Sequence, residues 1–183
     1  MILIRRASPE DAEQLTRITV ASKRHWGYPE TWIQLWLPEL TFSPEYVLQN
    51  EVWLAVIDEK IAAYYSLKLQ PVIARSREAA TKQSPSMIQG LLRREEQPPR
   101  NDGNDLWLDN LWVLPEHMGQ GIGKKLFHHA LERSRARGVS FLKIEADPNA
   151  QSFYERMGAK KVSEHQYELD GQLRVLPIME VDL

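Results

Sequence analysis

Leu111-Trp112-Val113-Leu114-Pro115-Glu116-His117-Met118-Gly119-Gln120-Gly121-Ile122-Gly123-Lys124-Lys125 is the most informative run in this sequence. An apolar run with the look of a strand end feeds a loop with glycine at three alternate positions, and a helical pattern begins at once. Glycine lets backbone amides come close to an anion. The unpaired amides of a helix start, together with the helix dipole, favour phosphate. Lys124 and Lys125 add positive charge beside them. Two familiar phosphate loops fail here. A nucleoside-triphosphate loop needs glycine and then Ser or Thr where Met118 and Lys125 stand, and a dinucleotide fingerprint needs glycine where Lys124 stands.

Downstream, the helix spans Gly121 to Arg137 and stops at Gly138. Val139 to Ala146 reads as a strand, Asp147-Pro148-Asn149 as a turn, and Ala150 to Met157 as a short helix closed by Gly158. Val162–Leu169 and Leu173–Val181 form a hairpin around Asp170-Gly171. Upstream, Leu106 to Leu114 is a strand. Simple alternation puts Leu106, Leu108 and Asn110 on one face and Trp107, Asp109 and Leu111 on the other.

Before it, residues 71–104 carry Pro71, Pro85, Pro98 and Pro99 with many charges and read as a flexible insertion. Met87, Ile88, Leu91 and Leu92 could share a short helix there, as a lid or a subunit contact. Val52–Ile57 and Ile61–Leu69 make a second hairpin. The chain opens with a strand, Met1 to Arg6. A helix start follows at Ser8-Pro9-Glu10-Asp11, and then an aromatic-rich segment from Trp26 to Leu37 that stops at Pro38. Trp32 and Trp36 read as core. The order of elements is that of a single α/β (α+β) domain over residues 1–183, built on one mixed sheet.

Composition narrows the function. A length of 183 residues supports one full core. A net charge of −2 gives nucleic acid or an anionic membrane no attraction. No apolar run reaches the roughly 18–20 residues needed to cross a bilayer, and the first residues lack the pattern of a signal peptide. The absence of cysteine removes disulfides, thiolate metal sites and a cysteine nucleophile, and agrees with a cytoplasmic protein. No histidine–carboxylate spacing suggests a metal.

The glycine loop resembles the coenzyme A loop of the GNAT superfamily of N-acetyltransferases, whose pattern is Arg or Gln, two residues, Gly, one residue, Gly or Ala. Gly121 and Gly123 match, while Met118 departs at the first position. A second block, Asp147 to Ala159, resembles the family's Asn-x-x-Ala-x-x-Phe-Tyr segment and the glycine after it. Ala150, Phe153, Tyr154 and Gly158 match and Asp147 departs.

The resemblance implies a mostly antiparallel sheet flanked by helices, with splayed central strands. It also implies acetyl-CoA as co-substrate and direct acetyl transfer to a primary amine. Its diphosphate would lie on Met118, Gly119, Gln120, Gly121, Ile122, Gly123 and Lys124. The main chain of Leu111, Trp112 and Val113 would meet the pantetheine and the developing oxyanion, with Asn149 and Phe153 nearby. Tyr154 matches the family's general acid, against a plain reading as a core aromatic. Asp109 is the candidate base, with Glu145 competing, and His25 and Tyr28 are candidates for the acceptor pocket. The acceptor is a small-molecule or peptide amine, and the protein a monomer or homodimer. Met118 and Asp147 keep open an alternative, a coenzyme A-binding sensor without transferase activity.

Overall fold

Alternating apolar residues, broken by turns that need left-handed backbone, give this chain a central sheet. The computed structural model describes residues 1–71 and 104–183; the expected insertion, with Met87, Ile88, Leu91 and Leu92, lies outside the described residues. Seven strands are β1 (Ile2–Arg6), β2 (Glu51–Ile57), β3 (Lys60–Pro71), β4 (Asn104–Val113), β5 (Phe141–Glu145), β6 (Lys160–Leu169) and β7 (Gln172–Asp182). They form one sheet in the order β1-β2-β3-β4-β5-β7-β6. Every neighbouring pair is antiparallel except β4 and β5. Asp58 and Glu59 join β2 to β3, and Asp170 and Gly171 join β6 to β7, all with positive φ as tight hairpin turns require.

Among the described residues, five α-helices cover the sheet: α1 (Ala12–His25), α2 (Glu30–Leu40), α3 (Pro44–Gln49), α4 (Ile122–Ala136) and α5 (Gln151–Arg156). On one face α4 and α5 bury Leu126, Phe127, Ala130 and Tyr154 against Tyr65, Leu67, Leu106, Leu108 and Met179. On the other, α1 and α3 bury Leu15, Ile18 and Val47 against Leu54 and Tyr64. Trp32, Ile33, Trp36 and Leu40 of α2 form a third cluster that takes in Tyr28 and Leu169. Among the described residues, no helix is long and apolar enough to cross a membrane.

Three local expectations need correction. The helix expected to stop at Pro38 runs on to Leu40. Pro38 gives up its own amide hydrogen bond and crowds the carbonyl one turn back, and the helix persists past it with Leu40 buried in the cluster of Trp32, Ile33 and Trp36. A helix, α3, also follows directly, capped by Ser43, whose side chain accepts from the Tyr46 amide. Finally, β4 does not alternate evenly. Ser66 pairs with Asn110 and Leu67 with Leu108, so Asp109 is the extra residue of a β-bulge. Leu111 and Val113 therefore pack in the same core as Leu106 and Leu108, and Trp112 in the opposite one. Asn110 accompanies Asp109 rather than Leu108.

Candidate active site

The bulge sits where the sheet opens. β4 and β5 pair only at Trp107↔Lys143 and Leu108↔Ile144. Beyond that point β4 continues to Val113, paired with β3 on its other side as far as Ala63↔Val113. The main chain from Asp109 to Val113 thus borders a gap on the β5 side. The Ser22 hydroxyl of α1 donates to the Val113 carbonyl at 2.8 Å and pins the far end of the strand.

At that end the chain makes a 3-10 turn, Pro115–His117, and enters α4 through Gly119 and Gly121, at φ +75° and +77°. Gly121 is the N-cap, and neither glycine has any atom within 4 Å of where a Cβ would stand. Among the described residues, the amides of Gly119 through Lys124 donate to no protein acceptor. The Gln120 side chain closes the loop on the Glu116 carbonyl at 2.9 Å. Gly123 has a different task. It faces the core rather than solvent, and a Cβ there would meet Val113 at 3.6 Å and Phe153 at 3.7 Å in ordinary packing contact. Consecutive unclaimed amides at a helix start, among the exposed Gly119, Gln120, Gly121 and Lys124, fit a diphosphate.

Across the gap, α5 packs on α4 through Phe153 and Tyr154 against Phe127, with ring centroids 6.1 and 5.7 Å apart. Tyr154 is only 6% exposed. Burial, with a smaller contribution from the charge of Asp147, raises its pKa above the ordinary tyrosine range, so it keeps its proton. Among the described residues its hydroxyl makes no hydrogen bond.

Asp109 is held from the opposite face. The Tyr46 hydroxyl of α3 donates to its Oδ2 at 2.6 Å and lies 2.7 Å from the Ser66 hydroxyl. The Asn110 amide donates to Tyr46 at 2.9 Å, to Ser66 at 3.1 Å and to Asp109 at 3.1 Å. Trp112 in turn donates its indole N–H to Asn110 Oδ1 at 2.9 Å. Burial and then the neighbouring Asp109 push the Tyr46 pKa up, which keeps it a donor. Glu145 stands elsewhere, its carboxylate 3.3 Å from His165 Nδ1.

A second polar group lies between α1 and the end of β5. Lys23 pairs with Asp147 Oδ2 at 2.8 Å, their side chains 12% and 6% exposed. The Tyr28 hydroxyl meets both Asp147 oxygens, at 2.8 and 2.9 Å, and accepts from Asn149 at 3.0 Å. The Lys23 ammonium is 4.7 Å from the Trp36 ring and 5.3 Å from Trp112, and Trp26 packs on Trp112 at 5.4 Å. Burial lowers the Lys23 pKa, with Asp147 opposing. For Asp147, burial resists ionisation, but Lys23, the Asn149 amide and Tyr28 outweigh it and hold the carboxyl below its ordinary value. Burial raises Tyr28 to about 12.

The structure therefore brings Asp109, Trp112, Asn149 and Tyr28 to one region. It leaves His25 exposed at the end of α1, apart from these hydrogen bonds. Sequence reading passed over Lys23, Tyr46 and Asn110. Among the described residues, no group of three or more His, Asp or Glu gathers as a metal site would require.

A model of the acetyltransferase (GNAT) family matches residues 14–159. Thialysine N-epsilon-acetyltransferase of Bos taurus is 29% identical over 77 residues, 38% of this chain and 45% of that protein, and the Sus scrofa protein is 27% identical over the same length. The chain thus spans less than half the length of these curated relatives. A GCN5-related N-acetyltransferase structure from Rhodopseudomonas palustris aligns with a TM-score of 0.69 at 19% identity, over 99% of this chain and 95% of that one. The PaiA N-acetyltransferase of Thermoplasma acidophilum, solved with coenzyme A, aligns with a TM-score of 0.66 at 21% identity, over 100% and 99%. At such identities the likeness is one of fold. The family match, however, reaches from within α1 to the residue before β6 and takes in both the glycine loop and the Tyr154 helix. By that span, the chain belongs to the GNAT family of acetyltransferases.

Proposed function

We propose that this protein is an N-acetyltransferase that moves the acetyl group of acetyl-CoA to a primary amine by direct transfer. The observation that carries the reading is the parting of β4 from β5 directly below a loop of unclaimed amides. Acetyl-CoA supplies the activated thioester. The amides of Gly119 to Lys124 hold its diphosphate, and the β4 main chain beside the gap, around Leu111 to Val113, donates to the thioester oxygen as negative charge builds there. An alkylamine carries a proton at neutral pH. Asp109, fixed on the bulge by Tyr46 and Asn110, takes that proton directly or through water. Tyr154, neutral and without a hydrogen-bond partner among the described residues, gives its proton to the departing thiolate. Relatives named for acetylating an epsilon nitrogen support an amine acceptor.

The test is thiol release from acetyl-CoA across a panel of amines, alongside calorimetry of acetyl-CoA binding. Amine-dependent release is the expected result. Tight acetyl-CoA binding with no release by any amine would instead make the protein a coenzyme A-binding module without transfer.

A further inference from the structure

Among the described residues, no carboxylate meets Arg174 of β7, whose polar neighbours are Tyr28 and Tyr167. Its guanidinium carbon lies 4.9 Å from the Tyr28 ring centroid, 5.1 Å from Trp32 and 5.4 Å from Trp36. One Nη donates to the Tyr28 hydroxyl at 3.1 Å. Its Nε is buried and has no acceptor among the described residues. Buried side-chain donors are nearly always satisfied, so one that is not asks for an explanation.

Asp147 cannot provide it. Its Oδ2 already takes the Lys23 ammonium and its Oδ1 the Asn149 amide, with the Tyr28 hydroxyl reaching both. Counting Lys23, Arg174 and Asp147, the group carries one net positive charge. A guanidinium keeps its charge at any working pH, so the Arg174 part of that charge is permanent. The rings of Tyr28, Trp32 and Trp36 shield it in part, which strengthens whatever ion pair forms there.

We propose that Arg174, with Lys23 beside it, reads a carboxylate on the acceptor, so that the amine acetylated here belongs to an amino acid rather than to a simple alkylamine or diamine. This rests on the transfer reading above. Arg174 presents the N–H fork that matches a carboxylate. The Tyr28 hydroxyl it shares with Asp147 ties that guanidinium to the group beside Lys23. The Lys23 ammonium lies 5.3 Å from the Trp112 ring, and Trp112 bonds Asn110 next to Asp109, so an acceptor with its carboxylate at Arg174 would extend its amine past Trp112 toward the base.

The experiment compares the common amino acids, each with its own carboxamide, on the protein loaded with coenzyme A, by thermal shift and calorimetry, and in parallel by thiol release from acetyl-CoA. The two members of a pair differ in charge but hardly in shape. At least one acid should bind and turn over, with its carboxamide about tenfold weaker or worse. Arg174→Gln should bring the acid down to the level of its carboxamide through KM while sparing acetyl-CoA affinity. Arg174→Lys, which keeps the charge and loses the fork, should restore part of the difference.

Acids and carboxamides that bind alike in the unaltered protein would overturn the proposal, however the variants fold. So would the absence of binding by any acid, or a preference that survives Arg174→Gln. The two readings fail separately. Acetylation of carboxamides or diamines but of no acid leaves transfer standing and removes the carboxylate. Arg174-dependent binding of an acid without thiol release does the reverse.

Discussion

The two sides of the gap offer different means of recognition. On the side proposed for the coenzyme the atoms on offer are main chain: the amides of Gly119 to Lys124 and the strand from Leu111 to Val113, all within one short stretch of sequence. On the acceptor side they are side chains gathered from far apart. Lys23 meets Asp147 across 124 positions, and Tyr46 meets Asp109 across 63. Main-chain recognition constrains only where glycine must stand, so it suits a ligand that never changes. Side-chain recognition can be rewritten one residue at a time, so it suits the partner that differs among relatives.

Substitutions can break this division or sharpen it. The largest effect belongs to Tyr154. Tyr154→Phe keeps the ring among Phe127 and Phe153 but removes the proton, and turnover should fall by about 10²–10⁴-fold with coenzyme affinity unchanged. Equal turnover in stopped assays would return Tyr154 to the core.

Next comes the buried pair. Asp147→Asn leaves the Lys23 ammonium without its carboxylate and should lower stability by about 3 kcal/mol at neutral pH. The sign follows from the two shifts. A lysine whose folded pKa is depressed opposes folding while charged, so the deficit should shrink as pH rises through that pKa toward the unfolded value. Asp147, with its folded pKa lowered, stabilises above the ordinary aspartate range and loses that contribution as pH falls below it. The variant should therefore also lack this part of the acid transition. Denaturant unfolding across pH measures both limbs, and a deficit that grows toward alkaline pH would contradict the assignment.

The smallest effect makes the cleanest comparison. Gly121 and Gly138 stand at opposite ends of α4, at φ +77° and +72°, each with open space where a Cβ would go. Alanine at either position should cost a similar amount of stability, about 1 kcal/mol, for the same backbone reason. Only Gly121→Ala should also weaken acetyl-CoA, by about tenfold, because only there does the added methyl face the diphosphate. Equal affinities in the two variants, read by calorimetry, would move the diphosphate off the loop.

The same division explains what the sequence revealed. The strand, glycine loop, α4 and the Phe153-Tyr154 helix were legible because each is a local pattern answering to one ligand. Two missed features had signals that were passed over. The apolar phase of β4 slips by one between Leu108 and Leu111, which is how a bulge at Asp109 writes itself into a strand. Ser43-Pro44-Glu45 repeats the Ser8-Pro9-Glu10 start of the first helix, and it announces α3 and with it Tyr46. The Lys23–Asp147 pair had no such signal. Nothing local distinguishes a lysine near the end of an amphipathic helix from any solvated one, and only the folded sheet brings it to β5.

The parting of β4 from β5 gives this sheet a third edge, in its middle. Its outer borders are β1 and β6, while the stretch from Asp109 to Val113 is a border turned inward, roofed by α1 and walled by Trp112. An outward edge of that kind invites other chains to add strands. Here the only chain able to reach it is one thin and extended enough to enter the slot. Such a guest would act as a temporary eighth strand, prolonging the β4–β5 junction beyond Leu108 and Ile144 for as long as it stays.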